Sequence, residues 1–297
     1  MLVATLTFPL RTLRWRFLLR IEGASLPVVP LWHATAIGFM ANNLLPARAG
    51  EFARAFAAAR LTGVRFSTAL ASVAVERIMD GIAMVALMTI AIYVGGFAPG
   101  ARIGGLSVGQ IAGAMALVFA MALAVAVVIV HRPEPALRLG RAILRRVMPV
   151  ALAEKAVTFA EGLVGGLDAL RSLPRFLAVA AWSIAVWGTY ALSFSLCFMA
   201  FDIQMPWASP FLLQALIGFS VAIPSSPGFF GPFEAATRGT LALYGIDARL
   251  AVSFAVAYHI GTFIPISVLG LWSLYRSHLH LADLRRGASP PPVTGRG

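Results

Sequence analysis

The sequence is poor in charged residues and in cysteine, and each shortage excludes a class of protein. Only 12% of its 297 residues are charged and 59% are hydrophobic, whereas a soluble domain carries roughly 25% charged residues. Cys197 is the only cysteine, which excludes an intramolecular disulfide and a cysteine-based metal site. The sequence also lacks Gly-x4-Gly-Lys, His-Glu-x-x-His and Gly-x-Ser-x-Gly motifs. We therefore expect no cofactor, no metal and no nucleotide-hydrolysing domain.

The sequence is rich in long apolar segments. A helix needs about 20 residues to cross the hydrocarbon core, and the segments that reach this length are 66–94, 108–130, 176–201 and 250–275. The sequence therefore predicts an all-α, polytopic transmembrane helix bundle. We expect a single integral membrane domain over residues 1–285 and a disordered tail over 286–297.

The N-terminal apolar run, residues 2–10, reaches Arg11 too soon to cross a bilayer. Arg11, Arg14, Arg16 and Arg20 follow within ten residues, with Trp15 among them. Basic and tryptophan side chains are typical of the membrane–water interface. The sequence therefore predicts a basic interfacial segment here.

The net charge of +12 lies mainly at the ends of the apolar segments. Segments 131–175 and 276–286 are rich in arginine, unlike 95–107 and 201–210, so the first pair and the C-terminus should be cytoplasmic. Basic residues in such positions predict contact with anionic phospholipid headgroups and not with nucleic acid.

The connection 133–172 is predicted to form amphipathic helices on the membrane surface, because charges of one sign recur on single helix faces. A solvated connector is the alternative. The residues concerned are Arg138, Arg141 and Arg145 on one face, and Glu154, Glu161 and Asp168 on another.

Two parts of the chain share an order of features: a proline- and glycine-rich break, a glutamate, a glycine and then a long span. Glu51 and Gly63 mark the first copy, and Glu234 and Gly245 the second. The span after the first copy should run outward and the span after the second inward. We therefore expect an inverted repeat of two re-entrant helix–break–helix hairpins, about 28–94 and 211–275. The structural breaks are Pro46, Gly50, Pro224, Pro227, Gly228 and Gly231.

In the alternative interpretation, residues 28–46 cross the membrane completely and the first copy is not re-entrant. In both interpretations, non-helical backbone at membrane depth is tolerated only where protein or a water-filled cavity covers it. The breaks therefore predict a cavity.

Ionisable residues within apolar segments are the candidate site. Glu76, Arg77 and Asp80 lie about 15 to 21 Å into their span, where each charge costs at least ~2.5 kcal/mol. Arg77 is spaced to pair with Asp80, and Glu234 with Arg238. Such charges either lock helices together or bind a lipid headgroup or a proton. The predicted substrate-binding or translocation residues are Asn42, Asn43, Arg48, Glu51, Arg54, Glu76, Arg77, Asp80, Glu234, Arg238 and His259.

Three motifs resemble the lysylphosphatidylglycerol synthase/flippase membrane domain family over about residues 11–275. They are Asn42-Asn43-Leu-Leu-Pro46-Ala-Arg48-Ala-Gly50-Glu51-Phe-Ala-Arg54, Glu76-Arg77-x-x-Asp80, and Pro227-Gly228-Phe-Phe-Gly231-x-x-Glu234-Ala. The resemblance implies a multi-pass protein of the bacterial inner membrane that handles lipids. In fused members this domain is thought to flip aminoacylated phosphatidylglycerol made by a separate soluble domain.

The chain departs from this family in three ways. It lacks the soluble synthase domain, so aminoacyl transfer is not predicted. It has Tyr258-His259 where the family often has Tyr-Arg. Family members usually open with a complete first span, so this chain is expected to begin inside that span.

The leading hypothesis is a lipid flippase or lipid transporter for a phospholipid or lipid-linked headgroup. A membrane-embedded lipid-modifying enzyme that uses Glu51, Glu76 or Asp80 as acid or base is the alternative, together with a non-catalytic scaffold for such an enzyme. A homo-oligomer and a separate lipid-synthesising enzyme stay open as partners.

Overall fold

The structure, a computed structural model, describes residues 2–21, 24–46, 48–95, 101–103, 105–147, 149–166, 172–222 and 226–280. These residues are mainly helical, which confirms the predicted all-α polytopic bundle. The helices are α1 Leu2–Thr5, α2 Thr7–Leu18, α3 Val28–Leu44, α4 Gly50–Thr62, α5 Phe66–Val94, α6 Val108–His131, α7 Pro133–Val147, α8 Val150–Gly166, α9 Leu173–Ala200, α10 Ser209–Ala222, α11 Pro232–Ala242 and α12 Ala248–Arg276.

Two short antiparallel ladders accompany the helices. Strand β1 (Arg20–Ile21) pairs with β2 (Ala24–Ser25), and β3 (Arg102–Ile103) pairs with β4 (Leu106–Ser107). Both ladders join helices, and neither was expected from the sequence.

Helices α5, α6, α9 and α12 are long and apolar enough to cross a membrane, as predicted. Their observed bounds lie within one helical turn of the expected ones. Large apolar side chains on α6 stay exposed, among them Leu117, Val125 and Val128. In water such a surface would be unfavourable, whereas in a bilayer the lipid tails cover it.

The remaining apolar helices form two hairpins, α3–α4 and α10–α11. Helices α3 and α4 approach closely through Gly38 and Gly50, since a Cβ on Gly50 would lie 2.0 Å from the carbonyl oxygen of Gly38. Gly50, expected as a backbone break, is thus the first residue of a helix and is required for packing. Pro46 does follow the end of α3, and a one-turn 3-10 helix, Pro227–Phe229, separates α10 from α11.

Helix α12 joins the two hairpins, because it packs against both α3 and α11. A Cβ on Gly270 would lie 2.1 Å from the Cβ of Met40, so this crossing also requires glycine. The N-terminal helix α2 packs against α3, α5 and α9. These contacts place the two breaks and the N-terminal arginines around one region of the bundle.

Helices α7 and α8 pair their charged faces with each other. Arg145 lies 2.6 Å from Glu154 and Arg141 lies 3.9 Å from Glu161, with all four side chains well exposed. The hydrogen bond from Arg145 lowers the pKa of the Glu154 carboxyl. Exposed ion pairs contribute little to stability, so this pairing mainly orients the two helices. Asp168, Pro224, the side chain of Arg20 and the predicted tail lie outside the part of the chain that the structure describes.

Candidate functional site

Arg11 and Arg14 lie in the centre of the bundle, so the interfacial position expected for them is wrong. Their side chains are 5% and 0% exposed. The reason is tertiary: α2 packs against α5, and two carboxylates of α5 accept the arginines. Arg16 stays near the end of α2, where it donates to the backbone oxygen of Leu26 and to Ser25.

Arg14 joins three helices through its guanidinium group. Its Nη2 lies 2.8 Å from Glu76 Oε1, and its Nη1 lies 2.6 Å from Asp80 Oδ1. Nη1 also donates to the hydroxyl of Ser183 on α9 at 3.0 Å. Charge-assisted bonds of this length are among the stronger polar interactions in proteins. Arg14 therefore holds α2, α5 and α9 together.

Further arginines surround the same acids. Arg54 of α4 lies 3.0 Å from Glu76, and Arg77 lies 3.4 Å from Asp80, as its spacing predicted. Glu51 lies 2.8 Å from Arg48 and 3.7 Å from Arg77. The whole cluster, called here the arginine cluster, consists of Arg11, Arg14, Arg48, Arg54 and Arg77 with Glu51, Glu76 and Asp80. Five guanidinium groups against three carboxylates leave two positive charges in excess.

Aromatic rings support the two buried arginines that carry part of this excess. The Arg54 guanidinium lies over Trp15 at 3.9 Å, and the Arg11 guanidinium lies 5.3 to 5.5 Å from the rings of Phe39, Trp187 and Tyr190. The negative face of an aromatic ring attracts a cation. These rings therefore stabilise charge that the carboxylates leave unbalanced.

The two hairpin breaks meet at Arg48. Arg48 Nη1 donates to the backbone oxygen of Val221 at the C-terminal end of α10, 3.3 Å away. That oxygen belongs to the last turn of a helix, where carbonyl groups lack intrahelical partners. Arg48 and Phe229, one at each break, both have positive φ angles, 57° and 63°. A positive φ angle at a non-glycine residue costs about 1–3 kcal/mol, and such residues cluster at functional sites.

The paired asparagines fix the first break. Asn42 Oδ1 accepts from the backbone N–H of Gly50 at 2.9 Å, which satisfies one free donor at the start of α4. Asn43 Nδ2 donates to the Phe263 carbonyl at 3.2 Å and to Ser267 at 3.0 Å, both on α12. Both asparagines therefore fix the position of the break, and their role in substrate binding stays a prediction.

His259 fixes the second break. Its Nδ1 lies 2.5 Å from Glu234 Oε1, and its Nε2 lies 2.7 Å from the carbonyl oxygen of Gly228. The Gly228 carbonyl oxygen can only accept, so Nε2 donates to it, and Nδ1 and the Glu234 carboxyl share a proton between them. The expected Glu234–Arg238 pair is wrong: Glu234 also accepts from the backbone N–H of Gly231, while Arg238 is exposed.

A cavity of about 440 Å³ lies between the hairpins. Its polar wall belongs to the arginine cluster, and its other wall is aromatic, with Phe119, Trp187, Phe219, Phe233 and Phe263. Most of the predicted site residues line it: Asn42, Asn43, Arg48, Glu51, Arg54, Arg77, Asp80 and His259. Glu76 is completely buried behind the wall, Glu234 sits behind His259, and Arg238 lies apart.

Sequence reasoning missed Arg11, Arg14 and Gln214. Arg11 and Arg14 are three residues apart and Glu76 and Asp80 are four apart, so each pair lies on one face of its helix. That pattern could have predicted contact between the two basic and the two acidic side chains. Gln214 was visible as a lone amide in an apolar segment. Among the described residues, no group of three or more histidine, cysteine, aspartate or glutamate side chains is placed to hold a metal ion.

Replacing Arg14 by methionine should lower the free energy of unfolding by roughly 3–5 kcal/mol, because Glu76 and Asp80 both lose the arginine that lies closest to them. Thermal unfolding in detergent measures the loss. Arg138→Met is the matched control, since Arg138 pairs with Glu134 on an exposed surface and should lose at most about 1 kcal/mol. Equal stability of Arg14→Met and the parent would show that the buried pairs do not hold the fold.

The comparisons with known proteins agree with this architecture. The family model described as the lysylphosphatidylglycerol synthase transmembrane region matches residues 1–270. A UPF0104 membrane protein of Methanothermobacter thermautotrophicus is 27% identical over 275 residues, which cover 88% of this chain and 77% of that protein. No solved structure matches. The chain belongs to the lysylphosphatidylglycerol synthase transmembrane-region family and is an integral, multi-pass membrane protein.

Proposed function

We propose that this protein is a lipid flippase or transporter that moves a phospholipid or lipid-linked headgroup between leaflets. The observation that carries the proposal is the cavity, which combines a charged wall and an aromatic wall within one volume of about 440 Å³. Ligand pockets typically measure about 300–1,000 Å³. An amphiphile needs both kinds of wall, since its headgroup is polar and its glycerol and acyl region is apolar.

The arginine cluster has an inner and an outer layer, and the outer layer is available to a headgroup. The side chains of Glu76 and Arg14 are fully buried, whereas those of Arg48, Glu51 and Arg77 are 20%, 25% and 28% exposed. Charges in the membrane interior are costly and usually mark a substrate path. The inner layer therefore serves the fold, and the outer layer serves transport.

The two hairpins enter the membrane from opposite sides in this proposal, as an inverted repeat of about 28–94 and 211–275. Helices α4, α10 and α11 have 13, 14 and 11 residues, too few to cross a bilayer. The contact between Arg48 and Val221 keeps their breaks together. Each hairpin is followed by a left-handed glycine, Gly63 and Gly245, both with φ 76°.

The proposed location is the bacterial inner membrane, with the C-terminus in the cytoplasm. The arginine-rich connection between α6 and α9 supports this orientation, because positive charge accumulates on the cytoplasmic side. Arg138, Arg145 and Arg146 on α7 are exposed and would face anionic phospholipid headgroups.

Filling the cavity should stop transport. Thr262 is a partly buried residue of the cavity wall, and Thr262→Trp should reduce the exchange of fluorescent phospholipids in proteoliposomes by at least about tenfold, or 1.4 kcal/mol in the barrier. The matched control is Thr89→Trp on the exposed surface of α5, which should exchange lipid at the parental rate.

Three results would contradict this account of transport. Unchanged exchange in folded Thr262→Trp would separate transport from the cavity. Chemical turnover of lipid without exchange would favour a membrane-embedded enzyme, and the absence of both would favour a scaffold.

Single cysteines at the breaks test the re-entrant arrangement. In a Cys197→Ser background, Ala49→Cys should react with a membrane-impermeant thiol reagent from the cytoplasmic side and Ser226→Cys from the periplasmic side. The reason is that each break would open into a water-filled cavity. Arg132→Cys is the control for the cytoplasmic side, and Arg102→Cys is the control for the periplasmic side. Labelling of both breaks from one side would rule out the inverted arrangement.

A further inference from the structure

We infer that the cavity selects lipids whose headgroup has a net negative charge, that is, a phosphate without a compensating ammonium group. The inference that the substrate is a lipid rests on the proposed function, whereas the charge preference is argued from the cavity itself. The inferred substrate class differs from the aminoacylated, cationic headgroup that the family resemblance implies. Three observations support the inference: the carboxylates near the cavity are paired, the arginine cluster has excess positive charge, and a buried glutamine has no hydrogen-bond partner among the described residues.

The carboxylates near the cavity are already engaged. Among the described residues, Glu51 lies near Arg48 and Arg77, Asp80 near Arg14 and Arg77, and Glu76 near Arg14 and Arg54. Glu234 is held by His259 and Gly231. In the part of the chain that the structure describes, each carboxylate near the cavity thus already has a cationic or hydrogen-bonding partner, which an incoming ammonium group would have to displace.

The arginine cluster, by contrast, has two positive charges in excess. The pair of His259 and Glu234 shares one proton and adds no net charge, whichever member holds that proton. Charges removed from water are stable only when they are paired, and a phosphate with one or two negative charges would balance this excess. The planar guanidinium group is well suited to bind phosphate oxygens.

The aromatic rings nearest the excess charge offer no alternative site for an ammonium group. Phe39, Trp187 and Tyr190 already surround the Arg11 guanidinium. A second cation against the same rings would be repelled by Arg11. Choline, ethanolamine and lysyl headgroups are therefore disfavoured beside Arg11, and the excess positive charge of the arginine cluster opposes them elsewhere in the cavity.

Gln214 supplies an independent observation that points to a ligand. Its side chain lines the cavity and is buried, with 3% exposure. Neither Nε2 nor Oε1 has a hydrogen-bond partner among the described residues. A buried amide without partners is unfavourable, and a headgroup would satisfy it, since a phosphate oxygen accepts from Nε2 and a hydroxyl group donates to Oε1.

Exchange rates of four lipids test the charge preference. Vesicles of phosphatidylcholine carry a trace of fluorescent phosphatidate, phosphatidylglycerol, phosphatidylcholine or lysylphosphatidylglycerol. The two acidic lipids should exchange at least about tenfold faster than the other two, a difference of roughly 1.4 kcal/mol. Equal rates, or faster exchange of lysylphosphatidylglycerol, would overturn the substrate class and leave the transport proposal standing.

Binding in detergent tests the site without requiring transport. Dihexanoylphosphatidate should raise the melting temperature of the purified protein, whereas dihexanoylphosphatidylcholine at equal ionic strength should not. Gln214→Leu should raise the phosphatidate concentration that gives half of the maximal shift in melting temperature by roughly tenfold. The matched control is Gln204→Leu, on the exposed loop after α9, which should bind as the parent does.

The two assays separate the two proposals. Stabilisation by phosphatidate without exchange of any lipid would support the anion site and refute the flippase. Equal stabilisation by inorganic phosphate would assign the site to free phosphate and overturn the lipid substrate. An absence of stabilisation by both, or an unchanged response in Gln214→Leu, would overturn the inferred site.

Discussion

The buried ion pairs of Arg14 with Glu76 and Asp80 are the interaction on which the rest of the structure depends. They join the N-terminal helix α2 to the long span α5, at 2.8 and 2.6 Å, with almost no exposure of any partner. A buried ion pair gains its stability from close geometry and from further hydrogen bonds, and here Ser183 supplies one from α9. Without α2, Asp80 would keep only Arg77, and Glu76 would keep only Arg54 and Arg77.

This anchoring leaves the outer arginines, Arg48 and Arg77, partly exposed. Arg14 and Arg54 contact Glu76 from inside the bundle, whereas Arg48 and Arg77 share Glu51 at the cavity wall. Arg48 also links the two breaks, through Glu51 of its own hairpin and the last turn of α10. The same side chain therefore couples the position of the hairpins to the electrostatics of the cavity, which is what a headgroup path through a bilayer would require.

The four spans were predictable because a long apolar run has few other stable structures, and the breaks were predictable from proline and glycine. The partners of the charged residues were harder to predict. The spacing rule that paired Arg77 with Asp80 also paired Glu234 with Arg238, yet Glu234 contacts His259, 25 residues away. Arg14 contacts residues 62 and 66 positions away. Helical spacing describes neighbours on one helix, whereas these contacts depend on how separate helices pack.

An experimental structure in a lipid bilayer tests the central claim most directly. Electron cryomicroscopy of the protein in nanodiscs that contain phosphatidate should reveal phosphate density in the cavity, bordered by Arg48, Arg77 and Gln214, with the acyl chains extending toward the bilayer. A cavity filled only by acyl chains, or closed by side chains while phosphatidate is present, would contradict the account.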